Sequence, residues 1–367
     1  MPLLKNTKLT PARLIFIVIL LLIGLIFWLH DQSMKRPQVI SANQNTTHPV
    51  HVQYWNDTNR AVSASDEYIF FVSYSDNKLL YTTGVEGKIC NTPVKGVKHI
   101  FAYQDSVYFL TDNSTIGCYN ASEKKIVFEN PFQPQTNRSS VVDSLENRLI
   151  GTDETGVYIL SSNLSGTVPC NDDVVIYRYS YKSQELEPLL QFMSTKKCLY
   201  AMIDNHTVYY DLHDTHGNEN GFYSYNMDTQ QTCRLSSRYP IAHNIMHIRY
   251  YRWEDYILFV SADSEDKENL DGYRPPEYLT LVKIDGSDEI VYPIKLDGYD
   301  NYYTLISDNL YYYDVNDYSW KCFNLRTQTH SIVSSTLDIG NAFPFQNHFS
   351  LIRRESAPYI PTIYIFQ

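Results

Sequence analysis

The feature that most constrains the fold of this sequence is a short motif that recurs along its length. A polar turn leads into aromatic and β-branched residues, and the clearest copies are Asp66-Glu67-Tyr68-Ile69-Phe70-Phe71, Asp105-Ser106-Val107-Tyr108-Phe109, Asp255-Tyr256-Ile257-Leu258-Phe259 and Asp308-Asn309-Leu310-Tyr311-Tyr312-Tyr313. Repetition at this scale indicates stacked copies of one supersecondary unit. The architecture can therefore be argued from the repeat, whereas the activity has to be argued from particular side chains.

Each copy of the motif starts the second strand of a four-stranded unit. The sequence places these starts near Tyr68, Val107, Leu149, Val208, Ile257, Leu310 and Phe349. Third and fourth strand-like runs follow most of them, and four strands in roughly 40–55 residues are typical of a propeller blade. One blade cannot bury both of its faces, but in a ring each sheet packs on two neighbours. We therefore predict an all-β fold: a β-propeller of four-stranded antiparallel blades, with seven blades favoured and six or eight as alternatives.

The composition agrees with a chain of strands and tight turns. The 32 tyrosines and 16 phenylalanines suit pleated, half-buried surfaces, and the scarcity of glycine (14) leaves the turns to Asn, Asp and Ser. The unit that begins at Phe349 lacks an outermost strand. The segment from His51 to Trp55 is expected to supply it and so to join the two ends of the ring.

The amino-terminal segment predicts a membrane anchor. Leu14 to Leu29 is an unbroken apolar run that would span about 24 Å as a helix, with Lys5, Lys8 and Arg13 before it. The positive-inside rule then places the amino terminus in the cytoplasm, and no small-residue cleavage site follows the run. We expect a cytoplasmic tail at 1–13, a transmembrane signal anchor at 14–30, a polar stalk at 31–49 and the propeller at 50–367, outside the cytoplasmic membrane.

Charge and cysteine content exclude some classes of function. The formal net charge of −11 argues against a nucleic-acid partner, because phosphates require a basic surface. The six cysteines form no CxxC pair, so neither a zinc ribbon nor a thioredoxin-like site is indicated. Disulfides and buried free thiols both remain open, and no cofactor is predicted.

Two stretches of the chain resemble a known type of repeat. Residues 208–235 and 277–313 combine an aromatic strand, a turn containing Asx or Asp-Gly, and a strand rich in tyrosine. This pattern resembles the bacterial DUF5050-type repeats, which belong with the TolB-like and the low-density-lipoprotein-receptor YWTD propellers. The chain has no YWTD tetrapeptide and lacks regular Asp-Gly turns in most units. The resemblance implies a propeller, and it supplies no catalytic residues.

Two polar loops are the candidate binding sites. In the first, His213, Asp214 and His216 have residue types that suit a transition metal, although a solvated inter-strand loop whose polar residues serve turns is the favoured explanation. Because loops on a rigid scaffold often carry function, we also consider both loops for partner binding. The candidates are Asp211, His213 and Glu219 in the first loop and Asp266, Asp271, Tyr273 and Arg274 in the second.

No catalytic motif is present in the sequence. The glycines at 151 and 156 superficially resemble a phosphate loop, but no lysine follows them and a hairpin turn is expected there. The favoured function is a non-enzymatic binding or scaffold module for a protein, peptide or glycan partner. The alternative is a glycan-acting hydrolase or lyase with its site in the central channel.

Overall fold

Short antiparallel strands follow one another along the chain, as the aromatic and β-branched runs predict. The computed structural model describes residues 38–39, 50–51, 62–72, 77–83, 89–132, 145–163, 174–192, 196–198, 200–214, 219–239, 250–262, 277–295, 303–314, 317–335, 341–346, 348–354 and 361–366. Two short strands precede the blades: β1 (Gln38–Val39) and β2 (Val50–His51). The described residues contain strands, turns and bends, and none of them is assigned to a helix.

Six blades are built from strands that are consecutive in the chain, and each strand pairs with the next, except in blade 4, where the two short first strands both pair with the third. Blade 1 contains β3 (Val62–Ala64), β4 (Ile69–Val72), β5 (Leu79–Thr82) and β6 (Cys90–Asn91). Blade 2 contains β7 (Val97–Tyr103), β8 (Ser106–Thr111), β9 (Thr115–Asn120) and β10 (Lys125–Pro131). Blade 3 contains β11 (Leu145–Thr152), β12 (Gly156–Asn163), β13 (Val174–Ser180) and β14 (Leu186–Phe192). Blade 4 contains β15 (Lys196–Lys197), β16 (Ala201–Asp204), β17 (Thr207–Asp214), β18 (Gly221–Asn226) and β19 (Gln231–Ser236). Blade 5 contains β20 (Tyr251–Trp253), β21 (Tyr256–Ala262), β22 (Glu277–Lys283) and β23 (Glu289–Lys295). Blade 6 contains β24 (Tyr303–Ile306), β25 (Asn309–Asp314), β26 (Ser319–Asn324) and β27 (Thr329–Ser334).

A closing sheet combines the two ends of the chain. Its strands are β28 (Asn341–Phe345), β29 (His348–Arg354) and β30 (Pro361–Phe366), with β2 as the outermost strand. His51 lies opposite Thr362, so the strand at Val50–His51 completes the last unit, while residues 52–55 of the expected segment lie outside the described residues. Where the sequence favoured seven blades, the structure thus builds six from consecutive strands rather than seven and adds this sheet from both termini.

The innermost strands stand side by side around one axis. Strand β3 lies beside β7, β7 beside β11, and β11 beside β16, while β24 lies beside β28 and β28 beside β3. Asp204 of β16 pairs with Arg252 of β20 at 3.6 Å, and the Tyr251 hydroxyl of β20 donates to the Tyr303 carbonyl of β24 at 3.1 Å. These contacts close the ring and confirm the predicted propeller of four-stranded antiparallel blades.

Blade-to-blade packing is dominated by aromatic rings. Phe222 of blade 4 packs on Phe259 of blade 5 with ring centroids 4.5 Å apart, and fully buried Trp320 of blade 6 lies 5.1 Å from Phe349 of the closing sheet. Burying one such side chain contributes about 1.5–3 kcal/mol. Among the described residues, aromatic rings such as these pack neighbouring sheets against each other.

The antiparallel order gives the ring two different faces. The turn face carries the tight turns that join each innermost strand to the second strand, such as 104–105, 205–206 and 254–255. The loop face carries the carboxyl ends of the second strands, where β12, β17 and β21 end. The two predicted binding loops follow β17 and β21, so the structure brings their starting points to the same face, on neighbouring blades.

The second strand of blade 3 does not start where the sequence predicted. Leu149 lies in β11, the innermost strand, and the second strand is β12. The predicted start near Leu149 was wrong because residues 147–150 have the same order of polar and apolar residues as the motif. The segment 151–156 forms the expected hairpin turn, in which the Asp153 amide donates to the Gly156 carbonyl. Gln38–Val39, inside the predicted stalk, pairs in parallel with β27.

The predicted anchor at 14–30 lies outside the described residues, as does the tail at 1–13. Within the part of the chain that the structure describes, no helix has the length and apolar character needed to cross a bilayer.

Candidate functional site

Asp211 interrupts the apolar pattern of the second strands. It is the fifth residue after the hairpin turn of blade 4, and its side chain is 0% exposed. The equivalent positions elsewhere in the ring are apolar or aromatic: Val72, Leu110, Leu160, Val260, Tyr313 and Ile352. A buried carboxyl group costs free energy unless it is paired and hydrogen-bonded. Such a local departure from an otherwise consistent pattern is typical of functional sites.

Two hydrogen bonds hold the Asp211 carboxyl group between blades 4 and 5. The Tyr200 amide, just before β16, donates to Oδ1 at 2.8 Å. The Tyr250 hydroxyl, just before β20, donates to the same oxygen at 2.5 Å. Burial, followed by the charge of Asp211, raises the pKa of Tyr250 well above its ordinary value, so this hydroxyl remains a donor.

The same network reaches the innermost strand of blade 3. Burial and the charge of Asp211 raise the pKa of the Cys198 thiol strongly, while the Arg148 guanidinium acts in the opposite direction. Cys198 and Arg148 are both buried, and the thiol donates to the Tyr200 carbonyl at 3.3 Å. With a raised pKa the thiol stays protonated and does not act as a nucleophile.

His213 brings the network to the surface of the loop face. Its Nε2 atom lies 2.8 Å from Asp211 Oδ2, but the contact is not aligned as a hydrogen bond. The imidazole packs edge-on against Tyr239, with centroids 4.6 Å apart, and the Tyr239 hydroxyl accepts a hydrogen bond from the Asn220 side chain at 3.1 Å. His213, Tyr239 and Asn220 are half-buried, so an imidazole, a phenol and an amide line the edge of blade 4 together. This combination suits a ligand rich in hydroxyl or amide groups.

The outcome for the predicted site residues is mixed. Asp211 and His213 are in contact, and Glu219 is exposed, with its carbonyl accepting from the Tyr223 hydroxyl. Asp214 pairs across the sheet with Lys196 through the backbone. His216, Asp266, Asp271, Tyr273 and Arg274 lie outside the described residues, so the metal set and the second loop stay predictions.

Sequence reasoning missed the partners that reach Asp211 from elsewhere in the chain. Tyr200 and Tyr250 each stand immediately before an innermost strand, and Arg148 lies on a strand whose place in the blade was mistaken. One signal was available: aligning the second strands after their hairpins shows a carboxyl group in a column of apolar side chains. The identity of its donors could not be found that way, because they depend on how neighbouring blades pack.

Among known proteins, the chain is similar to solved structures but to no family model or curated protein. No family model matches the chain, so the DUF5050-type resemblance stays a prediction, and no curated protein matches it either. The solved structures similar to it include oligogalacturonate lyase from Vibrio parahaemolyticus, with 10% identity, a TM-score of 0.57, and coverage of 90% of this chain and 95% of that chain. BamB from Moraxella catarrhalis is also similar, with 14% identity, a TM-score of 0.43, and coverage of 83% and 84%. At these identities the likeness concerns the fold alone.

Proposed function

We propose that this protein is a binding module that captures a peptide or glycan partner on the loop face, over blades 4 and 5. The observation that carries the proposal is Asp211: a fully buried carboxyl group where the other sheets place apolar or aromatic side chains. A position selected for packing alone would hold an aliphatic residue, as Val260 does one blade further on.

Asp211 supports the surface and does not form it. Its contacts to Tyr200 and Tyr250 fix the junction of blades 4 and 5, and His213 lies between Asp211 and the surface ring of Tyr239. A rigid base holding a few exposed polar groups is the arrangement that binding sites need, because preorganised groups lose less entropy when the ligand binds.

The proposal includes an extracytoplasmic position. The apolar run from Leu14 to Leu29 and the basic residues before it support a single-pass anchor with its amino terminus in the cytoplasm. In that arrangement the propeller is held outside the membrane. Labelling of single engineered cysteines with an impermeant reagent in intact cells tests this placement, and labelling that requires cell lysis would contradict it.

Ligand capture can be tested with variants at the edge of the loop face. Purified protein is screened against an oligosaccharide and peptide array, and hits are quantified by titration. His213→Ala and Asn220→Ala should weaken binding about tenfold or more, while thermal unfolding stays close to that of the wild type. Lys124→Ala, an exposed residue on the turn face, is the matched control and should bind normally. Equal losses in all three variants, or no hit on the array, would contradict the proposal.

A second candidate function is eliminative cleavage of an acidic glycan. The observation that favours it is the short distance between the His213 imidazole and the buried Asp211 carboxyl group, because a small rotation of the ring would let Asp211 accept a hydrogen bond from it and orient it as a general base. One of the similar structures is itself an oligogalacturonate lyase. In this function His213 would remove the proton next to the uronate carboxyl group, the electron pair of that C–H bond would form a C=C bond as the glycosidic C–O bond breaks, and the leaving oxygen would take a proton from water. Asp211 would position the imidazole ring.

The two functions give different results with the same substrates. Incubation with oligouronates should produce an unsaturated product, detected by its ultraviolet absorbance, only if the protein is a lyase. His213→Ala should then abolish turnover, whereas Asp211→Asn should lower kcat more than it changes KM. Binding without any product formation supports the non-enzymatic module.

A further inference from the structure

On the turn face, two hairpin turns from neighbouring blades bring an imidazole and two carboxyl groups together. The turns are 154–155 of blade 3 and 205–206 of blade 4, and the side chains are Asp153, Glu154 and His206. One donor atom from each lies within 4.8 Å of the others. This cluster is on the opposite face from Asp211, and no motif in the sequence predicts it.

The imidazole of His206 lies between two carboxyl groups. Its Nε2 atom is 3.0 Å from Glu154 Oε1, and its Nδ1 atom is 3.3 Å from Asp228 Oδ1 in the outer turn of the same blade. A neutral imidazole has one donor and one acceptor nitrogen. A protonated imidazole donates to both carboxyl groups; in the neutral imidazole, with Nδ1–H donating to Asp228, the lone pair of Nε2 points towards Glu154, and a cation can take the place of the proton between those two atoms. A carboxylate that fixes a metal-binding histidine in this way is a recurrent feature of metal sites.

Asp153 is already oriented for such a role. Its Oδ1 atom accepts from the Thr155 amide and hydroxyl, both at 2.7 Å, and from the Gly156 amide at 3.1 Å. Its Oδ2 atom accepts a single hydrogen bond, from the Tyr158 hydroxyl at 2.6 Å. These hydrogen bonds already hold the carboxyl group in position, so binding of a ligand at Oδ2 does not require the hairpin to move. Oδ2 also retains a lone pair.

The backbone positions the histidine as tightly as the aspartate. Asn205 and His206 have φ values of 45° and 55°, as the two central residues of a tight hairpin turn require. Both turns belong to paired strands, so the distance between them is set by the packing of blades 3 and 4. Glu154 is the adjustable member, because its side chain is 74% exposed.

We propose that Asp153, Glu154 and His206 bind a divalent transition-metal ion of the zinc class, with Asp228 orienting the imidazole. Imidazole nitrogen and carboxylate oxygen bind zinc at about 2.0–2.2 Å, so the ligand atoms, which lie within 4.8 Å of one another without the ion, have to move closer together when it binds. Three protein ligands leave one position for water. The ion joins two blades, and its binding therefore stabilises the ring at this junction.

The test is calorimetric titration of the chelator-treated full-length protein with zinc chloride. We expect one saturable site in the wild type and its loss in His206→Asn, because asparagine tolerates the left-handed backbone but does not supply the imidazole. Asp228→Asn should weaken zinc binding about 10–100-fold, as expected when the orienting carboxylate is lost. Thermal unfolding with zinc should shift upward in the wild type and remain unchanged in His206→Asn.

Two control variants separate this site from other sources of zinc binding. His330→Gln removes an exposed imidazole that contacts the Tyr312 hydroxyl, and it should titrate like the wild type. His213→Gln tests the loop-face alternative. Loss of binding in His213→Gln with retention in His206→Asn would overturn the proposal, and so would weak, unsaturable binding that is the same in all variants. Circular dichroism without metal confirms that each variant is folded.

Discussion

The carboxyl group of Asp211 is stable in the interior only while its hydrogen-bond donors remain in place. Replacing it with valine, the residue at the equivalent position of blade 5, removes a buried charge but leaves the Tyr200 amide and the Tyr250 hydroxyl without this acceptor. Each buried donor left unpaired costs about 1–3 kcal/mol. We therefore expect Asp211→Val to lower the free energy of unfolding by about 2–5 kcal/mol, measured by urea denaturation.

A double variant separates the hydrogen bond from simple packing. In the Asp211→Val background, Tyr250→Phe removes the orphaned hydroxyl and should recover about 1 kcal/mol or more. The same change in the wild type should be destabilising, because it removes the donor from Asp211. An Asp211→Val protein as stable as the wild type would show that the network makes no contribution to folding.

Asp308 on the turn face gives a prediction for acidic pH. The Trp253 indole donates to its Oδ1 atom at 3.0 Å and Arg326 Nε donates to Oδ2 at 2.7 Å, and these two partners hold the pKa of Asp308 below its ordinary value of 3.8. A lowered pKa stabilises the folded protein above the ordinary value, and that contribution is lost as the pH falls through the lowered one. The contact between blades 5 and 6 should therefore persist at pH 4 and break at lower pH.

Tryptophan fluorescence can follow this change directly. Protonation of Asp308 frees the Trp253 indole, so the emission should shift below pH 3.8 in the wild type. Asp308→Asn should show no such step, and Trp253→Phe identifies the tryptophan responsible. A step at pH 4.5 or above in the wild type would contradict the lowered pKa.

At the scale of the strand, Gly117 is required by its neighbour across the sheet. It lies opposite Phe109, and a β-carbon at position 117 would stand 2.2 Å from the ring of that phenylalanine. In many strands a glycine-to-alanine change is favourable because alanine loses less backbone entropy on folding. Here the ring has to move within a close-packed core, so the change should be unfavourable.

We predict that Gly117→Ala lowers the free energy of unfolding by about 1–3 kcal/mol. Thr115→Ala, on the same strand but half-buried, is the matched control and should have a much smaller effect. Urea denaturation of both variants gives the comparison. A stabilising effect of Gly117→Ala would mean that the Phe109 ring has room to move.

The strands were the part of the structure most accessible from the sequence. The strand-like runs that follow the second strands lie within observed strands, for example β5, β9 and β22, because aromatic and β-branched residues there are bounded by polar turns. The predicted second strand of blade 3 was wrong because the residues around Arg148 and Leu149 have the sequence pattern of a second strand but belong to the innermost one. The sites were less accessible: the Asp211 network and the His206 cluster are both assembled from different blades, and contacts between blades follow from packing that no local pattern encodes.

At the scale of the whole molecule, the ring is closed by the amino-terminal segment. Strand β1 adds to the outer edge of blade 6, β2 pairs with β30 in the closing sheet, and β3 then starts blade 1 on the inside. Gln38–Val39 and Val50–His51 thus form the outer edges of two neighbouring sheets, blade 6 and the closing sheet. An unpaired edge strand is exposed to aggregation, so this pairing also protects β30.

Two truncations test the closure. A protein beginning at residue 45 lacks β1 but keeps β2, and one beginning at residue 58 lacks both, so they differ in the strand that pairs Val50 with Ile363 and His51 with Thr362. Losing these few backbone hydrogen bonds should lower the free energy of unfolding by about 1–3 kcal/mol, and the shorter protein should aggregate more readily. Equal stability and solubility of the two proteins would mean that β28, β29 and β30 close the ring without β2. A difference of the expected size would show that β2 contributes to the stability of the closing sheet.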